Sequence, residues 1–463
     1  MNGSSQLAQG SAIVIDIGKT LSKVSLWSRQ GACLGRETRL NERHDAAPYA
    51  PLDVAATSDW LITALASFAD HPVEAIIPVT HGAAVAGIRD GALTFLPPDY
   101  EWEIPASILA EYRKHRDSFA ETGSPALPCG LNIGSQLHYL ETLDPALLDG
   151  VTLMPYAQYW AWLLSGVATS EVTSLGCHSD LWSPQAGTFS AMAQQRGWAD
   201  RIAPLTPAGA VIGTLLPELA ARTGLSPQVR VHAGLHDSNA ALLAARGFAQ
   251  IADHDATVLS TGTWFVAMRS MGQSSMPASL PEDRDCLINV DVDGRPVPSA
   301  RFMGGREIEM LGARIDRAGT DGLADVLYSG AMVTPAQVPD CGPFPGLFSR
   351  KINWPDDPDE QAAAVALYTA LMADSALDLI GAQDRLLIEG RFAGSEMFVR
   401  ALATLRPDTQ VFAVGGEADV SFGALRLILP ELSPPEVLGR VRPLDRDLCA
   451  YRDAWFDAIE AFA

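Results

Sequence analysis

The chain has 463 residues with 55 acidic and 33 basic side chains, so its formal net charge at neutral pH is −22. This length is enough for two or three domains, and 48% hydrophobic with 19% charged residues is ordinary for a globular protein. The composition therefore excludes disordered and collagen-like chains. A strongly acidic surface repels phosphate backbones, so we predict neither a nucleic-acid partner nor a membrane partner.

Six cysteines are scattered along the chain, and none of them forms a Cys-x-x-Cys pair. This usage predicts free thiols and a cytoplasmic location rather than a disulfide framework. Residues 1–12 carry neither a basic stretch nor an apolar run, so they do not resemble a signal peptide. The uncharged stretch 150–170 contains Pro155 and Gly166, which favours a buried core helix over a membrane span.

The segment 12–27 is a β-branched apolar run, a Gly-Lys-Thr turn and a second alternating run, which predicts a β-hairpin. The turn resembles the end of a Walker A loop, but a strand pattern follows it where a P-loop would open a helix. Turn amides and cationic side chains can still hold phosphate groups. The residues that would offer them here are Gly18, Lys19, Thr20 and Lys23. Asp16 could hold Mg²⁺ through water, and the alternative is a solvated hairpin end with a surface ion pair.

The segment 256–268 repeats this hairpin pattern without charged residues at its turn. Gly262 and Thr263 would offer a backbone amide and a hydroxyl, and the neighbouring Trp264 is expected in the core. Strand patterns and helical periodicities, such as 58–69 and 359–379, follow the two hairpins. The repetition indicates two related α/β domains. We place their boundary at residue 240, so that the domains are 1–240 and 241–463.

The segment 231–244 carries His-Asp-Ser directly before a helical pattern that begins near Asn239. Asp237 therefore lies at a helix amino terminus. One interpretation is that Asp237 or Ser238 caps the helix. The other is that Asp237 is a general base that takes the proton from an attacking hydroxyl group, as kinases require. His81 and His236 are open to two interpretations as well, as structural histidines or as substrate ligands.

Together these segments resemble the FGGY carbohydrate kinases, and among them the L-rhamnulose kinases. The resemblance rests mainly on Gly234-Leu-His-Asp-Ser238 and Ser260-Thr-Gly-Thr-Trp264, in this order and spacing. Weaker similarities lie at 16–23, 131–137, 153–156 and 164–173, the last of which contains a Glu-x-Thr motif. The resemblance implies two ribonuclease-H-like domains of the actin and sugar-kinase superfamily, with ATP and sugar bound in a cleft between them. The domain 1–240 would bind the sugar, and the domain 241–463 the nucleotide.

The resemblance also implies an activity and a set of site residues. The activity is ATP- and Mg²⁺-dependent transfer of the γ-phosphoryl group to a hydroxyl of a ketose, either a deoxyketohexose such as L-rhamnulose or a pentulose. Asp237 would be the catalytic base, and Asp16 the metal-binding residue. The implied sugar-binding residues are His81, Gly82, His236, Asp237 and Ser238. The implied nucleotide-binding residues are Gly18, Lys19, Thr20, Lys23, Gly262, Thr263, Gly390, Gly394 and Ser395.

The chain departs from the family pattern at three places. Arg391 and Phe392 stand where the family normally has consecutive glycines beneath the adenosine, Arg301 aligns with an asparagine of the L-rhamnulose kinases, and His81 replaces a tryptophan. The first departure supports an alternative function, a catalytically inactive sugar-binding sensor that keeps the kinase fold. The other two leave open which ketose is the substrate, L-rhamnulose or another.

Overall fold

The structure is a computed structural model that describes residues 10–43, 46–315, 320–415, 420–435 and 437–461. The chain divides into two compact units. The first unit comprises Met1–Gly247, Ile288–Pro296 and Asp419–Pro434, and the second comprises Phe248–Leu287, Val297–Ala418 and Pro435–Ala463. The roles expected for 1–240 and 241–463, sugar binding and nucleotide binding, stay predictions.

The strands in chain order are β1 (Ser11–Ile17), β2 (Leu21–Trp27), β3 (Cys33–Leu40), β4 (Val73–Thr80), β5 (Val85–Arg89), β6 (Ala92–Phe95), β7 (Thr152–Pro155), β8 (Trp182–Ser183), β9 (Thr188–Phe189), β10 (Val211–Thr214), β11 (Arg230–His232), β12 (Leu235–His236), β13 (Ala256–Thr261), β14 (Phe265–Ser270), β15 (Cys286–Val290), β16 (Pro296–Phe302), β17 (Met332–Val333), β18 (Lys351–Ile352), β19 (Arg385–Gly390), β20 (Gln410–Ala413) and β21 (Gly439–Arg440).

The helices in chain order are α1 (Val54–Ala66), α2 (Ala106–Arg113), α3 (Phe119–Thr122), α4 (Ile133–Leu143), α5 (Tyr156–Ser165), α6 (Val172–Leu175), α7 (Ala191–Gln195), α8 (Pro217–Thr223), α9 (Asp237–Ala245), α10 (Gly304–Leu311), α11 (Leu323–Ser329), α12 (Pro358–Leu379), α13 (Glu396–Leu405), α14 (Val420–Leu425) and α15 (Cys449–Glu460), with a short 3₁₀ helix at Glu282–Arg284.

The first unit is built on a sheet in the order β10-β11-β4-β1-β2-β3, and β12 also pairs with β4. Strands β1, β4, β11 and β12 run parallel. Strand β2 pairs antiparallel with β1, and β3 pairs antiparallel with β2. Every residue of β1 is buried, and so are seven of the eight residues of β4. Strands covered on both faces have continuous apolar sequences, which is why 12–17 shows no polar alternation.

The second unit repeats this topology. Its sheet runs in the order β15-β16-β14-β13-β19-β20-β21. The five strands β16-β14-β13-β19-β20 match β3-β2-β1-β4-β11 in order and in direction. Strands β13, β19 and β20 are parallel, β14 pairs antiparallel with β13, and β16 pairs antiparallel with β14. The predicted fold class, two ribonuclease-H-like α/β units, is confirmed, as are both predicted hairpins.

Two helices show how local sequence sets the elements. Helix α12 begins with Pro358 after the cap Asp357, whose side chain accepts hydrogen bonds from the amides of Asp359 and Glu360. Within the described part of the chain, α12 alone is long and apolar enough to cross a membrane, but 83% of its apolar window is buried. The uncharged stretch 150–170 forms β7 and the buried helix α5, which ends at Gly166 with φ 74°.

The cysteine pattern agrees with the structure. All six cysteines are free thiols, and only Cys177 and Cys286 are buried. The predicted absence of a disulfide framework is therefore confirmed for these residues.

Candidate active site

Three parallel strands of the first unit end side by side. Ile17, the last residue of β1, and His236, the last residue of β12, both pair with Thr80, the last residue of β4. The residues that follow these strands, Gly18, His81 and Asp237, therefore lie at one edge of the sheet. The carboxyl ends of parallel strands are where α/β folds bind ligands. The topology thus brings three segments together, although His81 follows Gly18 by more than sixty residues and Asp237 follows it by more than two hundred.

A sharp turn presents Asp237. Gly234 has φ 80°, and a Cβ atom there would lie 2.1 Å from the carbonyl oxygen of Pro78, so the position requires glycine. Helix α9 begins at Asp237 with His236 as its cap residue, and no side chain completes the cap. Asp237 Oδ1 accepts instead from the amide of Ser238 at 2.6 Å and from its hydroxyl at 3.3 Å. The interpretation of Asp237 or Ser238 as the helix cap is therefore wrong.

The Asp237 carboxyl has an elevated pKa. Burial raises it to about 6, although the hydrogen bonds from Ser238 and the positive charge of Lys23 lower it. The side chain retains 31% of its exposed surface, so water and a substrate hydroxyl can still reach it. At neutral pH the carboxylate is ionised and can accept a proton. A pKa just below the working pH is what general-base catalysis favours.

His236 is a neutral neighbour of this carboxylate. Burial lowers its pKa to about 4, so the ring is uncharged at neutral pH. Its Nε2 atom lies 3.1 Å from Asp237 Oδ1, and the side-chain amide of Asn239 lies 3.4 Å from Nδ1. An amide N–H donated to Nδ1 leaves the ring proton on Nε2, where it points to the Asp237 carboxylate. This arrangement holds the ring and the carboxylate in one orientation.

Gly82 is needed so that His236 can approach. A Cβ atom at position 82 would lie 2.9 Å from the His236 ring and 3.0 Å from Cys177 Sγ. The Cys177 thiol itself lies 3.6 Å from His236 Nε2. Gly82 therefore allows close packing around His236, a physical role that the sequence alone did not reveal.

His81 lies between two tyrosines. Its ring centroid is 5.1 Å from that of Tyr100 and 5.2 Å from that of Tyr156. Burial, and then the charge of Lys19, lower the His81 pKa to about 3, so this ring is neutral as well. Among the residues that the structure describes, no group hydrogen-bonds the buried Nδ1 atom of His81. A buried polar atom without a protein partner is a candidate to bind a ligand.

The first tip, residues 16–23, carries charged side chains that are paired with one another or with a neighbouring segment. Lys23 Nζ lies 3.3 Å from Asp16 Oδ2, and Asp16 is buried. Lys19 forms an ion pair with Asp99, and its Nζ lies 4.8 Å above the ring of Tyr100. The Gly18 amide donates within the hairpin to Leu21 O at 3.1 Å. Lys19 would thus have to exchange Asp99 for phosphate in order to bind a nucleotide.

The predicted role of Asp16 in binding Mg²⁺ can be compared with the side chains that the structure describes. In the described ranges, no group of three or more His, Cys, Asp or Glu residues could hold a metal ion on its own. Mg²⁺ usually keeps several waters and binds one or two carboxylates together with substrate phosphates. The buried carboxylate of Asp16, at the carboxyl end of β1, fits such a water-mediated site.

The second tip, residues 260–266, lies in the second unit and carries neutral groups. Ser260 donates its hydroxyl to Glu389 Oε1 at 2.6 Å, and Thr261 donates to the Glu389 carbonyl at 2.5 Å. Gly390 has φ 86°, and a Cβ atom there would lie 2.4 Å from Thr261 O. The predicted residues Gly262, Thr263 and Gly390 therefore belong to one cluster at the carboxyl ends of β13 and β19.

A helix amino terminus approaches the second tip closely. A Cβ atom at Gly305, in the first turn of α10, would lie 2.0 Å from Gly262 O. Helix amino termini with free amides favour anions. Gly262 itself has room, because a Cβ atom there would come no closer than 3.7 Å to Trp264 O. Here the Gly262 amide donates to Trp264 O at 3.0 Å and the Arg306 amide of α10 donates to Thr263 O at 3.4 Å, so these two amides are already paired.

One expectation about the second unit is wrong. Trp264 is 37% exposed rather than buried in the core, and the Arg301 guanidinium lies 5.0 Å from its ring centroid. Phe392 is buried and packs on Phe265 with ring centroids 5.6 Å apart, so it belongs to the core. Arg391 is the half-exposed residue, and it pairs with Glu309 at 3.2 Å.

Gly394 and Ser395 follow this segment at the start of α13. A Cβ atom at Gly394 would meet nothing within 4 Å. Ser395 is the cap residue of α13, but its side chain makes no capping bond. Its hydroxyl is buried and finds no hydrogen-bond partner in the described part of the chain. The structure places both residues in the second unit, and their predicted role in nucleotide binding stays a prediction.

Sequence reasoning missed several residues around Asp237. Asp99 and Tyr100 hold Lys19, Asn239 and Cys177 contact His236, and Thr173 accepts a hydrogen bond from the His236 amide at 3.1 Å. Only the Glu-x-Thr motif at 171–173 gave any signal for them. The others carry no local pattern, because they reach the site through the tertiary fold.

Two ribonuclease-H-like units, with an ionised carboxylate and cationic tip residues at the strand ends of one of them, are typical of sugar kinases. Residues 253–435 match the family model for the carbohydrate kinase FGGY C-terminal domain. The chain is 55% identical to a carbohydrate kinase from Novosphingobium aromaticivorans of known structure, with a TM-score of 0.94. That match covers 98% of this chain and 99% of the other. The chain therefore belongs to the FGGY family of carbohydrate kinases.

More distant relatives carry more specific names. An L-fuculokinase from Salmonella typhi is 28% identical over 290 residues, and the match spans 58% of each protein. A xylulose kinase from Lactobacillus acidophilus has a TM-score of 0.78 at 12% identity, over 97% of this chain and 98% of the other. This second likeness shows the fold alone. The predicted likeness to L-rhamnulose kinases is not tested by these matches and stays a prediction.

Proposed function

We propose that the chain transfers the γ-phosphoryl group of Mg·ATP to a hydroxyl group of a ketose. The observation that carries this proposal is the ionisable carboxylate of Asp237 at the start of α9, beside the neutral ring of His236. Membership of the carbohydrate kinase family supplies the reaction class. Individual residues of this chain are proposed to take part in this reaction as base, sugar ligands and phosphate ligands.

Asp237 is the proposed general base. Its carboxylate accepts the proton of the attacking hydroxyl as the new oxygen–phosphorus bond forms and the bond to ADP breaks. The pKa of about 6 keeps it ionised at neutral pH. The hydrogen bonds from Ser238, at 2.6 and 3.3 Å, fix the position of Oδ1. Such positioning is worth a large part of the rate, because a misplaced base cannot reach the proton.

The neutral rings of His81 and His236 are proposed to bind sugar hydroxyls. A neutral imidazole offers one donor and one acceptor, which suits a hydroxyl group that is itself both. The buried Nδ1 atom of His81 needs a partner that the described residues do not supply. Gly82 supports this arrangement by letting His236 pack against the end of β4.

The two tips are proposed to serve the phosphates. Lys19, Thr20 and Lys23 of the first tip would bind phosphate oxygens, and Asp16 would hold Mg²⁺ through water. When bound, Mg²⁺ neutralises charge that develops on the transferred phosphoryl group. Gly262, Thr263, Gly390, Gly394 and Ser395 of the second unit would contact the nucleotide through backbone amides and hydroxyls.

A 6-deoxyketohexose is the proposed acceptor, and a pentulose is the second choice. The similarity to an L-fuculokinase and the sequence resemblance to L-rhamnulose kinases both favour a 6-deoxyketohexose. The fold shared with xylulose kinases is compatible with a pentulose but does not favour it. L-Fuculose and L-rhamnulose are therefore the first sugars to test.

Release of ADP with Mg·ATP against a panel of ketoses tests the proposal. The panel contains L-fuculose, L-rhamnulose, L- and D-xylulose, L- and D-ribulose, and glycerol as a non-ketose control. We expect one ketose to raise the rate far above the sugar-free background. Equal background rates for every sugar, together with no binding of ATP, would overturn the proposal in favour of a sugar-binding sensor. The replacement of the family glycines by Arg391 and Phe392 is the observation that supports this alternative.

A further inference from the structure

The motif Glu171-Val-Thr173 is linked by hydrogen bonds to the backbone beside Asp237. Glu171 is the cap residue of the short helix α6, and its Oε2 atom accepts from the Ser174 amide at 3.3 Å. It also accepts from the Thr173 hydroxyl at 2.6 Å. Glu171 and Thr173 are both completely buried. A cap alone does not require a glutamate here, since Asp, Asn, Ser and Thr are the preferred cap residues.

The Thr173 hydroxyl is used twice. Its only proton goes to Glu171, so its lone pairs are left to accept a hydrogen bond. They accept from the backbone amide of His236 at 3.1 Å, across 63 residues of sequence. His236 is the last residue of β12 and directly precedes Asp237. Glu171 therefore orients the Thr173 hydroxyl, and Thr173 fixes the backbone from which Asp237 projects.

The backbone before His236 is anchored by other segments: the Gly234 amide donates to Ala208 O at 3.0 Å, and the Gln158 side-chain amide donates to the carbonyls of Ala233 and Gly234 at 3.1 Å. Strand β12 consists of two residues, Leu235 and His236, which pair with Val79 and Thr80. The preceding Gly234 is in the left-handed region, which any residue with a side chain would resist. A short strand after a glycine turn needs further contacts to hold one conformation. The contact from Thr173 is one, and it is attached to the residue beside the base.

We propose that Thr173, oriented by Glu171, is a positioning residue that holds the His236–Asp237 backbone so that the Asp237 carboxylate meets the acceptor hydroxyl. This inference rests on the proposed role of Asp237 as the base. Burial raises the pKa of Glu171 to about 7, and its Oε1 atom finds no hydrogen-bond partner among the described residues. Burying a carboxyl group with one unpaired oxygen costs stability, and such a cost is consistent with a role of Glu171 in orienting the Thr173 hydroxyl.

The test compares Thr173→Val, which keeps the shape and removes the hydroxyl, with Thr173→Ser, which keeps the hydroxyl. We expect Thr173→Val to lower kcat about 10- to 100-fold while KM for the sugar changes less than about threefold, because a displaced base loses reactivity before affinity. Thr173→Ser should remain within about threefold of the wild-type kcat. Glu171→Gln keeps one acceptor oxygen and should fall between the two, which preserves the test if Thr173→Val does not fold.

A structural role alone would give a different pattern. Lower thermal stability of Thr173→Val with an unchanged kcat per folded molecule would overturn the proposal, and so would equal kcat losses in Thr173→Val and Thr173→Ser. Amide hydrogen exchange of residues 231–238, compared with α5 as reference, needs no substrate. Faster exchange at 231–238 only in Thr173→Val supports the anchor even if no ketose is turned over, and unchanged exchange there overturns it.

Discussion

The two hairpin tips have the same backbone topology and different chemistry. In the first tip, Asp16 pairs in register with Lys23, and the two side chains form an ion pair at 3.3 Å. In the second tip, the equivalent positions are Ser260 and Val266. The nearest carboxylate there, Glu389, comes from the adjacent strand and accepts a hydrogen bond from Ser260. Residues 16–23 of the first tip therefore carry charged side chains, and residues 260–266 of the second tip carry hydroxyls and a glycine backbone.

This difference shows how a repeated fold can divide the work of one reaction. The ribonuclease-H-like topology brings strand ends and hairpin tips together in both units, whatever residues they carry. The charged groups collect where Asp237 lies, so the first unit is proposed to handle proton transfer and phosphate charge. The second tip, with uncharged donors, is proposed to hold the nucleotide.

The largest effect is expected from backbone geometry at the second tip. Gly390→Ala places a Cβ atom 2.4 Å from Thr261 O at φ 86°, and we expect it to lower the free energy of unfolding by about 3 kcal/mol or more. Gly394→Ala, four residues on with open space around it, should change it by less than about 0.5 kcal/mol. Urea unfolding measures both free energies. Equal effects would contradict the claim that the close approach of Gly390 to Thr261 O requires a glycine.

A second prediction compares kcat/KM after loss of a charged side chain in the first tip with kcat/KM after loss of a hydroxyl group in the second. Lys23→Met should lower kcat/KM about 100-fold, because it removes a cation close to the reacting groups. Thr263→Val should lower it less than about tenfold, because a neutral hydrogen bond contributes less than a charged one. Lys114→Met, on an exposed side chain that pairs with Glu111, is the matched control and should match the wild type. A larger loss in Thr263→Val than in Lys23→Met would reverse the proposed division between the tips.

The pH profile gives a smaller but more specific effect. Because the Asp237 pKa is raised to about 6, kcat/KM should fall about tenfold per pH unit below that value, as the base becomes protonated, and level off above it. Ser238→Ala and Lys23→Met each remove an interaction that lowers this pKa, so both should shift the midpoint upward by less than about one unit. Thr263→Val should leave the midpoint unchanged. If the midpoint is the same in Ser238→Ala and Lys23→Met as in the wild type, the titration belongs to another group.

The sequence predicted the parts of the fold and site that depend on neighbouring residues. Both hairpins, at 12–27 and 256–268, were visible because apolar runs and a glycine turn lie within one short segment. The helix after Asp237 was visible for the same reason. The repetition of the two patterns was enough to predict two related units.

Contacts between distant residues were not predictable in this way. The Lys19–Asp99 pair spans 80 residues and the Thr173–His236 hydrogen bond spans 63, and neither leaves a local pattern. Trp264 was expected in the core because large aromatic residues usually are, but it is 37% exposed and lies beside the Arg301 guanidinium. The burial of Phe392 was not predictable either, because the sequence gives its size and not the direction of its side chain.

Burial of ionisable groups also required the structure. The pKa values of Asp237 and His236 are shifted mainly by burial, which depends on how α9, β4 and β12 pack. A sequence shows that a carboxyl and an imidazole are adjacent, but it does not show that one is ionised and the other neutral at the same pH. This distinction is what makes Asp237 a base in our account.

The central claim is that Asp237 takes the proton of the acceptor hydroxyl, and Asp237→Asn tests it most directly. With the ketose found in the panel, single-turnover formation of ADP should be at least about 10³-fold slower than in the wild type and in Asp59→Asn, the same change on an exposed helix face. Thermal stability at pH 7.5 should be equal or higher, because a carboxyl whose pKa is raised by folding destabilises the fold once ionised. A rate within tenfold of the wild type would contradict the account.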